Sequence, residues 1–234
     1  MTSPIDARAA MLLLFDVAPD VIAEHDHWHT HEHMPERLRI PGFLRGSRWI
    51  AQGPGPRYCV LYEVAELAVL DSAAYRERLD NPTPWTTAMM AHYVGMRRTL
   101  CEIAHVLGRG MGTAGLVVRF APSAGRERQL LGWLSATATA GIASRPGLAS
   151  CHLLHYAQVA QMTREQALRG RDESVHSALF VTGYDDSAVA ALARNELAKE
   201  RFVENGAAPD QFASSVVRQH YALTSADAHR PETP

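Results

Sequence analysis

The 234-residue chain has little of what usually assigns a sequence to a class. Its three cysteines, Cys59, Cys101 and Cys151, are widely spaced and odd in number. They form no Cys-x-x-Cys metal motif and no recognisable disulfide framework, which favours the reducing cytoplasm. Lysine and arginine total 23 against 25 acidic residues. We therefore do not expect nucleic-acid binding, which needs a concentrated positive face.

Long apolar runs and nucleotide motifs are also scarce. The longest early apolar run, residues 9–15, is too short to span a bilayer, and no small-residue cleavage site follows it. We therefore expect neither a membrane helix nor a signal peptide. The sequence has no Ser-His-Asp order, nucleophile elbow, Walker motif or dinucleotide fingerprint. Any reaction should therefore need neither a covalent nucleophile nor a nucleotide. The apolar residues, 47% of the chain, suffice for a sizeable core.

Two stretches of the chain repeat one order of predicted elements. In the first stretch, apolar patterns predict strands at 11–17, 43–51, 57–64 and 93–107, with helices at 21–34, 67–79 and 85–91. In the second stretch, they predict strands at 115–120, 149–158, 178–183 and 214–223, with helices at 126–144 and 186–205. The glycine-rich segment between them precedes a strand, so it reads as a linker and not as a phosphate loop.

Short sequence matches support an internal duplication. Arg-Pro-Gly-Leu at 145–148 is similar to Ile-Pro-Gly-Phe about 105 residues earlier. Each half has the order strand, helix, strand, strand, helix, strand. The predicted fold class is α+β, with two ferredoxin-like βαββαβ repeats at 9–108 and 114–223 forming an α/β barrel within one chain. We expect a polar insertion at 161–173 and a disordered tail at 224–234.

Histidine is the residue in excess, with 12 copies and five of them within nine consecutive residues. Residues three or four apart share one face of a helix. His25, His29 and His33 therefore lie along one stripe, and His27 and His31 lie along another, roughly 160° away. The two stripes cannot line the same pocket.

Three interpretations of these histidines remain open. An imidazole titrates near neutrality, so it can accept and return a proton. His29 and His33, at i and i+4, could also chelate a divalent metal ion, although the HExxH form is absent. Histidines on a surface helix are often merely solvated, as we expect for His25, His27 and His31.

The matching helix of the second half lacks these histidines. His29 corresponds to Leu134 and His33 to Ala138, whereas Trp28 is matched by Trp133. This difference favours a single active pocket in the N-terminal half. The C-terminal half would then be a degenerate, structural partner.

Four segments of the first half carry a family resemblance. They are Trp-His-Thr-His-Glu-His-Met-Pro-Glu-Arg at 28–37, Ile-Pro-Gly-Phe at 40–43 with Arg48 beyond it, Leu-Tyr-Glu at 61–63 and Asn-Pro-Thr-Pro-Trp-Thr at 81–86. Residues 10–105 resemble EthD-like proteins of the dimeric α/β-barrel superfamily, whereas the second half matches in layout only. The resemblance implies a barrel with a small-molecule pocket between sheet and helices. It implies no single reaction, because fold is a poor guide to chemistry.

The resemblance and the helix pattern together give the predicted site. His33, in the Glu-His-x-Pro-Glu pattern, is the expected general acid/base. The other expected catalytic residues are His29, Glu32 and Tyr62. The expected substrate-binding residues are Trp28, Arg48, Trp85, Thr86 and Met89, with Arg48 binding a carboxylate or enolate oxygen and Trp85 and Thr86 forming a lid.

The predicted function is cofactor-free lyase, cyclase or isomerase chemistry by proton transfer on an apolar or aromatic, polyketide-like small molecule. One alternative is a metal- or haem-dependent oxygenase with histidine ligands. Another is a non-enzymatic binder of apolar small molecules. We expect no membrane partner, and either a monomeric pseudo-dimer or a homodimer.

Overall fold

A computed structural model of the chain describes residues 6–138, 141–157, 164, 168 and 177–231. Within them the strands are β1 Ala9–Val17, β2 Phe43–Ala51, β3 Tyr58–Val64, β4 Tyr93–Gly108, β5 Ala114–Phe120, β6 Leu148–Tyr156, β7 Ser177–Gly183 and β8 Ala213–Thr224. The α-helices are α1 Ile22–Trp28, α2 Met34–Leu38, α3 Ala73–Asp80, α4 Pro84–Met90, α5 Glu127–Trp133, α6 Asp186–Arg194, α7 Lys199–Glu204 and α8 Ser225–Ala228.

The eight strands form one closed antiparallel barrel in the order β1-β3-β2-β8-β5-β7-β6-β4. The first half contributes β4-β1-β3-β2, and the second half contributes the equivalent order β8-β5-β7-β6. The pairs β2–β8 and β4–β6 join the halves. The predicted fold, two ferredoxin-like repeats closed into a barrel, is confirmed.

Strand alternation gives the barrel two apolar surfaces, because successive side chains point to opposite faces. Leu12, Leu14, Trp49 and Phe180 belong to the cluster that fills the barrel interior. Alternate residues such as Leu13 belong to the cluster beneath the helices. The barrel interior is therefore packed with side chains, and the helix layer is where the histidines meet the sheet.

The helix that carries the histidines widens into a π-helical turn at His29–His33 before continuing as α2. The second half has the same irregularity at Leu134–Ala138, directly after α5. π-turns often mark functional sites, but this one recurs where no histidine is present, so it belongs to the repeated fold. Pro35 follows this turn and lies in the first turn of α2. Its missing N–H is tolerated there.

The C-terminal tail differs from the expectation of disorder. Thr224 ends β8, and α8 follows it directly. The Ser225 hydroxyl donates to the carbonyl of Leu38 at 3.0 Å, and Ala228 is buried. These contacts order residues 224–231. Residues 232–234 and most of the predicted insertion at 161–173 lie outside the described residues.

One group of charged side chains lies among the apolar residues of the barrel. Glu63 is almost fully buried and accepts a hydrogen bond from Arg45 Nη2 at 2.8 Å. His152, from the other half, has its Nε2 3.8 Å from a Glu63 carboxylate oxygen. Burial raises the pKa of Glu63, and Arg45 opposes that effect. Burial also lowers the pKa of His152 to about 4. The three side chains link the two halves inside the barrel.

None of the helices within the described ranges is long and apolar enough to cross a membrane.

Candidate functional site

The two histidine stripes are separated in the structure as their spacing predicts. His25, His29 and His33 are 1%, 2% and 7% exposed, whereas His27 and His31 are exposed. The expectation that His25 is solvated is therefore wrong, since it faces the sheet with the other two. Arg37, one turn beyond His33, is also buried and extends the stripe.

Aromatic rings surround this stripe. The imidazole centroids of His25 and His29 are 5.5 Å apart, as are those of His29 and His33. His25 also packs on Tyr58 with a centroid distance of 4.6 Å, and His33 packs on Trp28 at the same distance. The imidazoles thus lie in a buried, aromatic layer between helix and sheet.

His29 and Tyr62 form the central pair of the site. The Tyr62 hydroxyl lies 3.5 Å from His29 Nε2, and both side chains are almost fully buried. Burial, together with the nearby charges of His25 and Arg48, holds the pKa of His29 well below its ordinary value of 6.5. The ring is therefore neutral at pH 7. Among the described residues, His29 Nδ1 is buried and has no hydrogen-bond partner.

A second polar group adjoins the first through His25. His25 Nε2 is 3.2 Å from the Tyr93 hydroxyl, and its Nδ1 is 3.4 Å from Asp26 Oδ1. The Tyr58 hydroxyl donates to the same carboxylate oxygen at 2.9 Å. Burial acts to raise the pKa of Asp26, but its contacts with His25 and Tyr58, together with the nearby Arg48 and His220, outweigh burial and lower it. Burial lowers the pKa of His25.

Arg48 ties this group to both halves of the barrel. Its guanidinium donates to the Asp26 carbonyl at 3.1 Å, to the Thr30 hydroxyl at 3.0 Å and to His220 Nδ1 at 3.3 Å. All three guanidinium nitrogens thus contact protein groups, and the side chain is buried. In this structure Arg48 positions α1 on the sheet. Its expected role in substrate binding stays a prediction.

Sequence reasoning missed four members of this group: Asp26, Tyr58, Tyr93 and His220. Tyr58 and Tyr93 lie on strands far from the histidine helix in sequence, and His220 comes from the second half. Strand pairing brings β8 beside β2, with Tyr221 opposite Arg48. No local sequence signal reports that pairing. The burial of Arg37 differs in this respect, because its position four residues after His33 places it on the same helix face and could have predicted it.

Glu32 lies on a different side of the helix from the buried stripe. Its Oε1 accepts hydrogen bonds from Trp28 Nε1 at 3.1 Å, Thr83 Oγ1 at 2.6 Å and Thr86 Oγ1 at 3.2 Å. Thr86 is fully buried. Glu32 therefore orients Trp28 and contacts no imidazole.

The other predicted substrate-binding residues lie around Trp28. Met89 is buried and packs with Trp28, and the partly buried Trp85 packs against the same cluster. The Trp85 ring also lies 5.5 Å from the exposed His27 ring. The structure therefore brings Trp28, Trp85, Thr86 and Met89 together. Their substrate contacts remain predicted.

The same helix position in the second half is ordinary core. Aligning the two π-turns matches His25, His29 and Arg37 to Leu130, Leu134 and Ile142. All three apolar residues are at most 1% exposed and belong to the second half's main cluster. The fold can therefore fill this layer with aliphatic side chains, and the first half uses imidazoles and a guanidinium instead.

The described residues show no set of three or more His, Cys, Asp or Glu side chains arranged to hold a metal ion. His29 and His33 would supply two nitrogen ligands, and within the described ranges no third donor of these types completes a metal site with them. A metal ion bound to His29 and His33 would need further ligands from a bound substrate or from solvent.

The buried imidazoles predict a pH-dependent stability. The pKa values of His25, His29 and His152 are lowered in the folded chain, so the unfolded chain binds more protons below pH 6.5. The fold is therefore most stable above pH 6.5, where these imidazoles are neutral in both states, and it loses stability as the pH falls. We expect the free energy of unfolding to decrease by up to about 1.4 kcal/mol per pH unit for each histidine.

Urea denaturation between pH 7.5 and 5 measures this slope above the range where most carboxylates titrate. The variant His27→Gln should leave the slope unchanged, because His27 is exposed. His29→Leu should reduce it. An unfolding free energy that stays constant or rises towards pH 5 would contradict neutral, buried imidazoles.

Comparison with known proteins gives the fold and no more. The chain matches no family model and no curated protein. An anthrone oxidase-like protein superposes with a TM-score of 0.68 at 12% identity, covering 97% of each chain. A proposed monooxygenase from Lactobacillus acidophilus NCFM superposes with 0.59 at 8% identity, covering 94% of this chain and 97% of its own. A proposed chlorite dismutase superposes with 0.50 at 7% identity, covering 95% and 97%. The chain therefore shares its eight-stranded α+β barrel with these proteins.

Proposed function

We propose that this chain is an enzyme that transfers protons on a small apolar or aromatic molecule. His29 is the proton-exchanging group, and Tyr62 sets its tautomer. His33, whose ring centroid is 5.5 Å from that of His29, is the second imidazole of the site. We propose that the protein functions in the cytoplasm, either as a monomeric pseudo-dimer or as a homodimer. The EthD-like resemblance of residues 28–37, which includes both histidines, supports a chemical role for this segment.

The observation that carries this proposal is the contrast between the two halves. Burying a polar group without full hydrogen bonding costs free energy, whereas burying leucine or isoleucine stabilises the fold. The second half has leucine at the positions that correspond to His25 and His29, on the equivalent helix. Packing therefore does not require the histidines, and a chemical role explains their presence.

The proposed chemistry uses one tautomer of His29. When the ring hydrogen is on Nε2, that nitrogen donates to the Tyr62 oxygen, and the Nδ1 lone pair can accept a proton from the substrate. The lowered pKa keeps His29 unprotonated and ready to act as a base. The surrounding rings of Trp28 and Tyr58 offer an apolar wall that suits a flat aromatic substrate.

A second candidate function uses the same first step. Removing a proton from an activated methylene gives a carbanion that can isomerise or cyclise, or can react with molecular oxygen. In the oxygen reaction the methylene compound and one O2 give a ketone and one water, and the carbon supplies the electrons. The shared fold with an anthrone oxidase-like protein and a proposed monooxygenase supports this candidate.

Haem or metal dependence is a weaker fit to the described residues. If a haem or metal ion were bound, His29 would be the residue to hold it, but its ring is packed between the rings of His25 and His33 and beside Tyr62. No three-ligand cluster surrounds it in the described ranges. We therefore propose that the proton transfer uses no cofactor. An absorption spectrum and elemental analysis of untagged protein would test that choice.

Anthrone is a suitable probe because its methylene protons, flanked by two rings, exchange through a carbanion. We expect the protein to accelerate methylene H/D exchange in deuterated buffer, followed by proton NMR without oxygen. Oxygen consumption under air tests the second candidate. The variant Tyr62→Phe should slow exchange about tenfold and change its pH profile, because the tautomer of His29 is no longer fixed. Tyr184→Phe, at an exposed tyrosine, is the matched control. An exchange rate equal to that of buffer would argue against this function for anthrone-like substrates.

A further inference from the structure

A cavity of about 400 Å³ opens on the side of the histidine helix away from the buried stripe. Its lining is mostly charged, with a short apolar part. The lining residues are His31, Glu32, Glu36, Arg39, Ile40, Pro41, Ala74, Glu77 and Arg78. The proposed proton transfer uses none of these side chains.

Glu32 is held rigidly at the wall of this cavity. One carboxylate oxygen, Oε1, accepts all three hydrogen bonds, from Trp28, Thr83 and Thr86. Two of these donors belong to the segment at the start of α4, so the carboxylate cannot turn without breaking contacts to a second helix. Within the described part of the chain, the other oxygen, Oε2, has no hydrogen-bond or ion-pair partner.

The arginines of the cavity do not neutralise Glu32. Arg78 Nη1 lies 3.6 Å from Glu36, and Arg39 Nε donates to the carbonyl of Ala228 at 3.0 Å. The indole N–H of Trp28 and two threonine hydroxyls compensate Oε1 for its lost hydration, whereas Oε2 keeps its capacity to accept a hydrogen bond. Uncharged donors, and not a guanidinium, thus fix the position of the carboxylate. Among the described residues, neither Arg39 nor Arg78 forms an ion pair with Glu32, so its negative charge is available to a cationic ligand.

We propose that this cavity binds a small organic cation, an alkylammonium or alkylguanidinium, at Glu32 Oε2. Ile40, Pro41 and Ala74 would contact its alkyl part. A divalent metal ion is a poorer fit, because it needs several oxygen or nitrogen ligands and the described residues offer no cluster of three. The site goes beyond the proposed proton transfer and does not depend on it.

Agmatine and n-butylamine are the probes, with 1-butanol and glutarate as the neutral and anionic counterparts. Isothermal titration calorimetry should show saturable binding of both amines, whereas butanol and glutarate should bind at least tenfold more weakly. Binding should also change the emission of Trp28, which donates to Glu32. Equal affinity for n-butylamine and 1-butanol would overturn the proposal without any variant.

The variant Glu32→Gln removes the charge and retains an oxygen that can accept the same three hydrogen bonds. We expect its affinity for agmatine to fall at least tenfold with an unchanged melting temperature. Glu127→Gln on α5 is the matched control and should bind as the original chain does. Full affinity in Glu32→Gln, or displacement of agmatine by millimolar Mg²⁺, would overturn the proposal. His29→Gln should bind agmatine normally, so failure here is distinguishable from failure of the proton-transfer function.

Discussion

Replacing His29 with leucine is expected to slow anthrone exchange about 100- to 10,000-fold, the range that a positioned general base contributes. The same replacement should raise the free energy of unfolding by about 1–3 kcal/mol at pH 7. Leucine removes the buried Nδ1 that lacks a partner and reproduces the residue at the matching position of the second half, Leu134. Loss of activity with gained stability is the signature of a functional group in a core position.

Two measurements on the same preparation check this expectation. Urea denaturation gives the change in unfolding free energy, and proton NMR gives the exchange rate. His27→Leu serves as the control, since it makes the same chemical change on the exposed stripe of the same helix. A His29→Leu protein that is less stable would show that the imidazole is a satisfied part of the core. Undiminished exchange would remove His29 from the chemistry.

Replacing Glu63 with glutamine is expected to destabilise the fold by about 3–5 kcal/mol. The change leaves the guanidinium of Arg45 without its anion, although only 13% of the Arg45 side chain is exposed. It also removes the negative charge beside His152, which lies on the opposite half of the barrel. Denaturant unfolding with an unchanged m-value would assign the loss to the native state.

The double variant Arg45→Met with Glu63→Leu separates the unpaired charge from the loss of packing. Removing both charges should restore stability to about that of the original chain, because well-packed apolar residues commonly replace a buried ion pair without loss. Arg76 and Asp71 form an exposed pair, and Asp71→Asn should cost at most about 1 kcal/mol. A loss below about 1 kcal/mol in Glu63→Gln would contradict a tight ion pair inside the barrel.

Much of the fold was predictable because it depends on local patterns. The short apolar runs gave the strands, and the repeated Pro-Gly turns revealed the duplication that closes the barrel. The tail was mispredicted because its polar composition hides the contacts that order it, the hydrogen bond of Ser225 to Leu38 and the packing of Ala228 against the main cluster of the first half. The π-turns were not predictable either, since two segments as different as His29–His33 and Leu134–Ala138 both adopt them.

The site was predictable only in part. Helical spacing separated the buried from the exposed histidines, but it could not show that His25 packs on Tyr58. The other residues of this site come from strands that are distant in sequence, and His220, which contacts Arg48, comes from the other repeat. Glu32 was predicted as a catalytic residue, and that role is untested. Its sequence neighbours could not show that it contacts Trp28 and two threonines, because two of these donors come from the start of α4.

The most direct test is a crystal structure of the protein soaked with anthrone or a close aromatic ketone. A functional histidine layer predicts electron density for the ligand between helix and sheet, with a polar atom or the methylene carbon within about 3.5 Å of His29 Nδ1. A ligand bound only in the Glu32 cavity, or a His29 that keeps its ring packing while the ligand binds elsewhere, would contradict the proposed site.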